Sequence, residues 1–172
     1  MAPTCEPLPT TGSGWSGEQT RPVRWAEVTA RLRRGGWYWL STARPDGAPH
    51  TVPVLGAWSD PVLFIAMKDT SRKSRNLAAQ PRCTISHDAG DLHVVVEGHA
   101  ERVRGDTLTA ASTAFAQVHG WPTTVRDGRL DADHGAPTSG GPPYDAVALT
   151  PMQAFAFPVD ETKFAPTRFR FG

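Results

Sequence analysis

The chain has 172 residues and a formal net charge of +1, since 18 basic side chains balance 17 acidic ones. This length suffices for one well-buried domain, and a charge near zero argues against a general nucleic-acid binder, which must neutralise many phosphates. Two cysteines, Cys5 and Cys83, are too few for a disulfide scaffold or a zinc site, and no apolar run approaches the ~20 residues of a membrane span, so we expect a cytoplasmic protein that binds neither nucleic acid nor membranes.

The N-terminal part of the chain divides into a tail and the start of a domain. Residues 1–22 are rich in Pro, Thr, Ser and Gly and lack apolar periodicity, which predicts a flexible tail in which only Trp15 is expected to dock. The domain is expected to cover residues 23–172. It begins with a predicted helix over 25–34, where apolar residues recur at helical spacing before Gly35 and Gly36 end the pattern.

A β-hairpin is predicted next. An aromatic-rich strand over 37–42 precedes the turn 44–47, which contains Pro, Asp and Gly, and a return strand covers 49–55. Pro53 lies inside the return strand but cannot donate to a sheet ladder. We therefore expect this strand to be at an edge, to be bulged, or to face a ligand.

A basic turn follows the third predicted strand, 62–67. The segment 70–77 reads Thr-Ser-Arg-Lys-Ser-Arg-Asn-Leu and leads into a short helix that Pro81 ends. Helix N-termini offer unpaired N–H groups and a positive dipole end, and Arg and Lys both bind phosphate. The segment indicates either a phosphate-binding turn or a solvated basic helix start.

The remaining chain alternates strands with one further helix. Strands are predicted over 82–86, 92–103, 144–150, 152–157 and around Phe169, and a helix over 106–119. Gly98, in the middle of its strand, predicts a bulge or a close backbone approach. Residues 123–143 are expected to be a functional or disordered loop, whose acidic residues have no metal-ligand spacing. The fold class is mostly β (α+β), a closed or nearly closed antiparallel barrel with two or three short helices.

Four segments, taken in order, resemble one known family. The chain is similar from about Trp25 to Phe171 to the pyridoxamine 5'-phosphate oxidase-like split β-barrel family, and its C-terminal strand resembles the flavin/deazaflavin oxidoreductase branch. The segments that carry the resemblance are 40–54, 71–77, 96–103 and 167–171.

This resemblance implies a split-barrel homodimer that holds FMN or the deazaflavin coenzyme F-420 in grooves at the subunit interface. Ser71, Arg72 and Lys73 would hold the cofactor phosphate, and Asn76 would support their turn. The resemblance implies, more weakly, that four further residues contact the cofactor from the groove rim or from the partner subunit: Trp58, Trp121, Arg168 and Phe169. The implied cofactor-binding residues are His50, Thr51, Val52, Pro53, Val54, Ala66, Met67, Ser71, Arg72, Lys73, Asn76, His93 and Arg168.

Departures from the family pattern disfavour oxidation of vitamin B6. His50 stands where pyridoxamine phosphate oxidases have a basic residue, and the C-terminal Arg-His signature is missing. We expect instead an oxidoreductase that transfers hydride between the cofactor and a small conjugated organic substrate, without a catalytic side chain or a metal. Both cofactors carry a phosphate and a tricyclic ring, so the basic turn does not distinguish them, although Lys68 and Arg75 would suit the polyanionic deazaflavin tail. The alternatives are a non-catalytic carrier of flavin, deazaflavin, a tetrapyrrole or a fatty acid, and a barrel with a vestigial groove whose role is interaction.

Overall fold

A computed structural model describes residues 2–8, 21–136, 139–160 and 162–172, so Trp15 lies outside the described residues. The helices are α1 (Trp25–Leu32), α2 (Arg72–Ala79) and α3 (Gly105–His119). The strands are β1 (Thr4–Pro7), β2 (Arg21–Pro22), β3 (Trp37–Ala43), β4 (Pro49–Ser59), β5 (Val62–Met67), β6 (Arg82–Asp88), β7 (Leu92–Arg102), β8 (Thr124–Arg126), β9 (Arg129–Asp131), β10 (Asp145–Pro158), β11 (Phe164–Ala165) and β12 (Thr167–Arg170).

Six strands close into an antiparallel barrel. Their order is β10-β5-β4-β3-β6-β7, and β7 pairs back with β10. The first half of β10 pairs with β5 and the second half pairs with β12, so β12 and then β1 extend the sheet beyond the barrel. This architecture confirms the predicted fold class.

Strand β10 is continuous, although two strands were predicted on either side of Pro151. The register against β7 shifts between Pro151 and Gln153, and this bulge accommodates the proline within one strand. Gly98 lies opposite Pro151, where a Cβ atom would collide with the main-chain oxygen of Thr150. The close backbone approach predicted at Gly98 is therefore confirmed.

Strand β4 changes partner along its length. It pairs with β3 over residues 49–55 and with β5 only over residues 56–59. Along its first half, the second edge of β4 has no strand partner among the described residues. Pro53 lies in this half, which agrees with the predicted edge position and leaves the barrel open there.

Two segments depart from the expected tail and loop. Thr4–Pro7 pairs with β12 although its four side chains are exposed, so main-chain pairing and not burial places this segment on the sheet. In the long loop, β8 and β9 form a hairpin whose turn, Asp127-Gly128, has positive φ angles at both residues. Leu130 is fully buried and exchanges two main-chain hydrogen bonds with Tyr144, which joins this hairpin to the barrel.

The hydrophobic core has two parts. The first fills the barrel and includes Tyr38, Leu40 and Ile65, while the second lies between α3 and the outer side of β4, β5 and β10 and includes Phe64 and Phe115. None of the helices in the described part of the chain is both long enough and apolar enough to cross a membrane.

Helix α2 is joined to the barrel by a buried amide. The Asn76 side chain is 1% exposed, and its Nδ2 donates to Thr42 Oγ1 on β3 at 2.9 Å. The neighbouring Leu77 packs into the barrel core. These two residues fix the position of the helix against the β3–β4 hairpin.

We expect Asn76→Ala to lower the free energy of unfolding by about 1–3 kcal/mol, because the buried Thr42 hydroxyl loses its donor. Urea denaturation measures this difference. Arg75→Ala, which changes an exposed neighbour on the same helix, serves as the control and should change stability by no more than about 0.5 kcal/mol. Equal stabilities of the two variants would contradict a structural role for the Asn76–Thr42 hydrogen bond.

Candidate cofactor-binding site

The N-terminus of α2 is capped by Ser71. The Ser71 Oγ accepts from the Ser74 N–H at 3.3 Å and donates to the Lys68 carbonyl at 2.7 Å. Among the described residues, the N–H groups of Arg72 and Lys73 have no hydrogen-bond partner. These two N–H groups therefore remain available to a ligand at the positive end of the helix dipole.

The first turn of α2 carries three cations and no acidic residue: Arg72, Lys73 and Arg75. None of them forms an ion pair with a described carboxylate, whereas Arg31, Arg129 and most other arginines do. Lys73 is half-buried, and burial lowers the pKa of its ammonium group. Because cations at a helix N-terminus oppose the helix dipole, this turn is suited to bind an anion.

The predicted residues of β4 do not present one face. The side chain of Val54 is buried in the barrel core and Val52 packs against that core, while Thr51 lies on the opposite, outer face of the strand. What the segment 50–54 shares is the main chain of the free edge. Met67 on β5 is also fully buried, so the side chains of Met67 and Val54 are not accessible to a ligand within one protomer.

One hydroxyl joins the free strand half to α2. Thr42 Oγ1 accepts from Asn76 Nδ2 and donates to the His50 carbonyl at 3.3 Å. Two side-chain atoms beside this link, His50 Nδ1 and Asn76 Oδ1, are buried and have no partner in the described part of the chain. His50 and Asn76 were predicted from the sequence, whereas Thr42 was not, because it carries no motif of its own.

These observations fit a cofactor with a phosphate and a polar ring system. The phosphate suits the cationic first turn of α2, and ligand N–H or O–H groups suit the two buried atoms that lack partners. The unpaired main-chain groups of β4 offer further donors and acceptors.

Two predicted residues lie away from this site within one protomer. His93 is exposed beside Asp88, and Arg168 donates from Nε to Glu6 Oε1 at 2.6 Å. His93 and Arg168 lie opposite Phe157 and Phe155 of β10, whereas Met67 lies opposite Asp145 at the start of that strand. The separation is ten or more residues, roughly 30 Å along the strand.

The weaker aromatic candidates belong to the core. Trp58, Trp121 and Phe169 are 3%, 5% and 0% exposed. The ring centroid of Trp25 lies 5.1 Å from Phe169 and 6.0 Å from Trp58, and Trp121 lies 5.4 Å from Tyr144. Sequence alone does not separate an aromatic residue that lines a groove from one that packs a core.

A separate groove of about 540 Å³ lies on the outer wall of the barrel, across β3, β6, β7 and β10. None of the thirteen predicted residues lines it. Its lining includes one carboxylate, Glu97, which accepts from Gln153 Nε2 at 3.2 Å, and one guanidinium, Arg82, so it lacks the excess of positive charge seen at the α2 turn. Cys83 also lines it, but burial raises the pKa of its thiol to about 12, so the thiol does not provide a nucleophile near neutral pH.

Comparisons with solved structures show the same fold. The conserved hypothetical protein Rv2991 from Mycobacterium tuberculosis is 19% identical with a TM-score of 0.65, over 84% of this chain and 92% of that one. An F420 reductase is 22% identical with a TM-score of 0.52, over 73% and 93%. A pyridoxamine 5'-phosphate oxidase-related, FMN-binding protein from Nostoc punctiforme is 16% identical with a TM-score of 0.55, over 84% and 88%.

The chain spans only about half of another similar structure, a heme binding protein from Mycobacterium smegmatis. The two are 20% identical with a TM-score of 0.53, over 74% of this chain and 52% of that one. A search of curated proteins finds no significant match. The family model described as pyridoxamine 5'-phosphate oxidase matches residues 25–156, which include β4, β5 and the whole of α2. The chain therefore belongs to the pyridoxamine 5'-phosphate oxidase family.

Proposed function

We propose that the protein is a homodimeric oxidoreductase that binds FMN or deazaflavin coenzyme F-420 and acts on a small conjugated organic substrate. The observation that carries this proposal is the cationic first turn of α2 beside the unpaired half of β4. We infer flavin binding from the family and from its FMN-binding structural relative, and we infer the deazaflavin alternative from the F420 reductase among the similar structures.

The phosphate is assigned to the N-terminus of α2. Ser71 positions the first turn, the N–H groups of Arg72 and Lys73 point to the helix end, and the two side chains add positive charge. A phosphate there relieves the repulsion between these cations and the helix dipole. It also gives the half-buried Lys73 ammonium the counter-charge that burial makes valuable.

The ring is assigned to the free edge of β4, between His50 and Val54. The main chain there has donors and acceptors that no strand uses, and Ala66 and Met67 approach from the end of β5. The unpartnered Nδ1 of His50 and Oδ1 of Asn76 would orient polar groups of the cofactor. When bound, the cofactor would supply two-electron hydride chemistry, and these residues would bind and orient it.

The proposed dimer interface is the outer face of β3 and of the strands beside it, where a second copy of the chain would bind. Trp37 and Trp39 are 45% and 53% exposed on this wall, and Phe157 is 38% exposed on β10. Large exposed apolar residues clustered on one face are typical of interaction surfaces. A partner there would also explain why His93 and Arg168, implied by the family resemblance, lie far from the α2 turn of their own protomer. The cytoplasmic location stays a prediction.

The role of the cationic turn can be tested by substitution. Replacing Arg72 and Lys73 together by Ala should weaken FMN or F-420 binding at least about 100-fold, because two charge-assisted hydrogen bonds of about 1.5–3 kcal/mol each are lost. Absorbance and fluorescence titrations measure the dissociation constants.

A control with equal charge change is Arg34→Ala combined with Arg104→Ala, both exposed and outside α2 and the loop that leads into it. If the two double variants bind the cofactor with similar affinity, the assignment of the phosphate to α2 is wrong. Wild-type protein that binds neither cofactor at micromolar concentration would reject the proposed function. Tight binding without turnover of quinone, enone and nitroaromatic acceptors would support the carrier alternative.

The assigned dimer interface can also be tested by substitution. Trp39→Glu should shift the protein from dimer to monomer in sedimentation velocity, because it replaces an exposed tryptophan of the assigned contact by a charged side chain. Val125→Glu, at a similarly exposed apolar position (43%) on the β8–β9 hairpin, should leave the dimer intact. A wild-type monomer, or a Trp39→Glu dimer, would contradict the assigned interface.

A further inference from the structure

We propose that Arg129, on the β8–β9 hairpin, is a positioning residue for the anion site at α2, where it neutralises the carboxylate of Asp69. This inference rests on the proposed function, since it concerns the same site. It assigns a role to the hairpin, a segment outside every motif by which the sequence resembles its family.

Arg129 joins three elements through one guanidinium group. One terminal nitrogen donates to Asp69 Oδ2 at 2.5 Å, in the loop between β5 and α2. Its Nε lies 2.9 Å from Asp145 Oδ1, at the start of β10. Asp145 is 5% exposed and is also paired with Arg102 of β7.

The loop that Arg129 holds leads directly into the proposed phosphate site. The Lys68 carbonyl accepts from both the N–H and the Oγ of Ser71, the cap of α2. On its side-chain end, Lys68 Nζ donates to the Pro143 carbonyl at 3.2 Å and lies 4.9 Å from the ring centroid of Tyr144. The segment that ends at Tyr144 therefore contacts this loop at both Lys68 and Asp69.

Charge gives Arg129 a specific role at this position. Asp69 precedes the Ser71 cap by two residues, so its carboxylate lies in the neighbourhood of an anion bound to α2. The hydrogen bond from Arg129 lowers the pKa of Asp69, as a favourable ion pair does, and Asp69 is ionised at neutral pH with or without this partner. Without Arg129, Asp69 would repel a bound phosphate, whereas Asp145 would retain Arg102.

This account makes a prediction that a purely structural role does not. We expect Arg129→Gln to raise the dissociation constant for FMN or F-420 about tenfold, and we expect the double variant Arg129→Gln/Asp69→Asn to return to within about threefold of wild type. Asp69→Asn alone should tighten binding, because it removes a negative charge near the anion while Arg129 keeps its positive charge. Fluorescence titration measures all four affinities.

Arg126→Gln is the matched control, since Arg126 lies opposite Arg129 on the same hairpin but pairs with Asp131, at 3.1 Å, and not with Asp69. It should leave the dissociation constant unchanged. The proposal is overturned if Arg129→Gln binds like Arg126→Gln, or if the double variant binds as weakly as Arg129→Gln. Should Arg129→Gln fail to fold, Asp69→Asn decides alone, and a loss of affinity in that variant overturns the proposal.

A parallel titration with inorganic phosphate separates this inference from the proposed function. Phosphate is added to the cofactor-free protein, and its binding is followed by NMR through the amide chemical shifts of Arg72, Lys73 and Ser74. If phosphate shifts these amides with the predicted order of affinities while neither cofactor binds, the inference stands and the proposed function fails. If a cofactor binds equally well to wild type and Arg129→Gln, the inference fails and the proposed function stands. If neither phosphate nor a cofactor shifts these amides, both are rejected.

Discussion

Three cations in the first turn of α2 oppose the dipole of their own helix, and this unfavourable arrangement explains much of the surrounding structure. Helices usually place acidic residues in this turn, but α2 places Arg72, Lys73 and Arg75 there. Such local conflicts between sequence and structure concentrate at functional sites. The phosphate proposed for this site would resolve the conflict with a charge from outside the chain.

The second constraint is the change of partner along β4. A strand that paired fully with both β3 and β5 would close the barrel wall and leave no main-chain groups for a ligand. The pairing with β5 instead stops at Gly56, and Pro53 lies in the half that has one strand partner. Because proline cannot donate to a ladder, it also disfavours closure of this gap. The open strand edge and the α2 turn are held side by side by Thr42, which bonds to both.

The sequence predicted those features that depend on local pattern. The strand periods, the hairpin 37–55, the edge position of Pro53 and the basic helix start were each recognisable, and together they indicated the barrel. The β8–β9 hairpin was missed although Asp127-Gly128 is a strong turn signal, because Val125 and Leu130 are too few apolar residues to indicate strands. The Thr4–Pro7 strand has no apolar pattern, because its four side chains are exposed and it is held by main-chain pairing and by the ion pairs of Glu6 with Arg168 and Arg170.

Long-range side-chain partners were beyond prediction for a different reason. The Asn76–Thr42 contact joins residues 34 positions apart, and the Arg129–Asp69 contact joins residues 60 positions apart. Neither pair has a spacing rule, since both depend on how the barrel brings separate loops together. His93 and Arg168 were therefore named by family resemblance alone, Arg168 at the groove rim or from the partner subunit, and the register along β10 places both far from Met67 within a protomer.

The distribution of ion pairs around α2 agrees with the phosphate site proposed at the N-terminus of this helix. Arg102 and Arg129 share Asp145, and Arg129 also holds Asp69, so the described carboxylates nearest the site are already paired by residues outside the helix. The cations of α2 are thereby kept without an internal counter-charge. If the basic turn were only a solvated helix start, nothing would require neighbouring acids to be neutralised by arginines from β7 and β9 and not by the closer helix residues. The arrangement preserves positive potential at one place, and this is the electrostatic condition for binding a phosphate there.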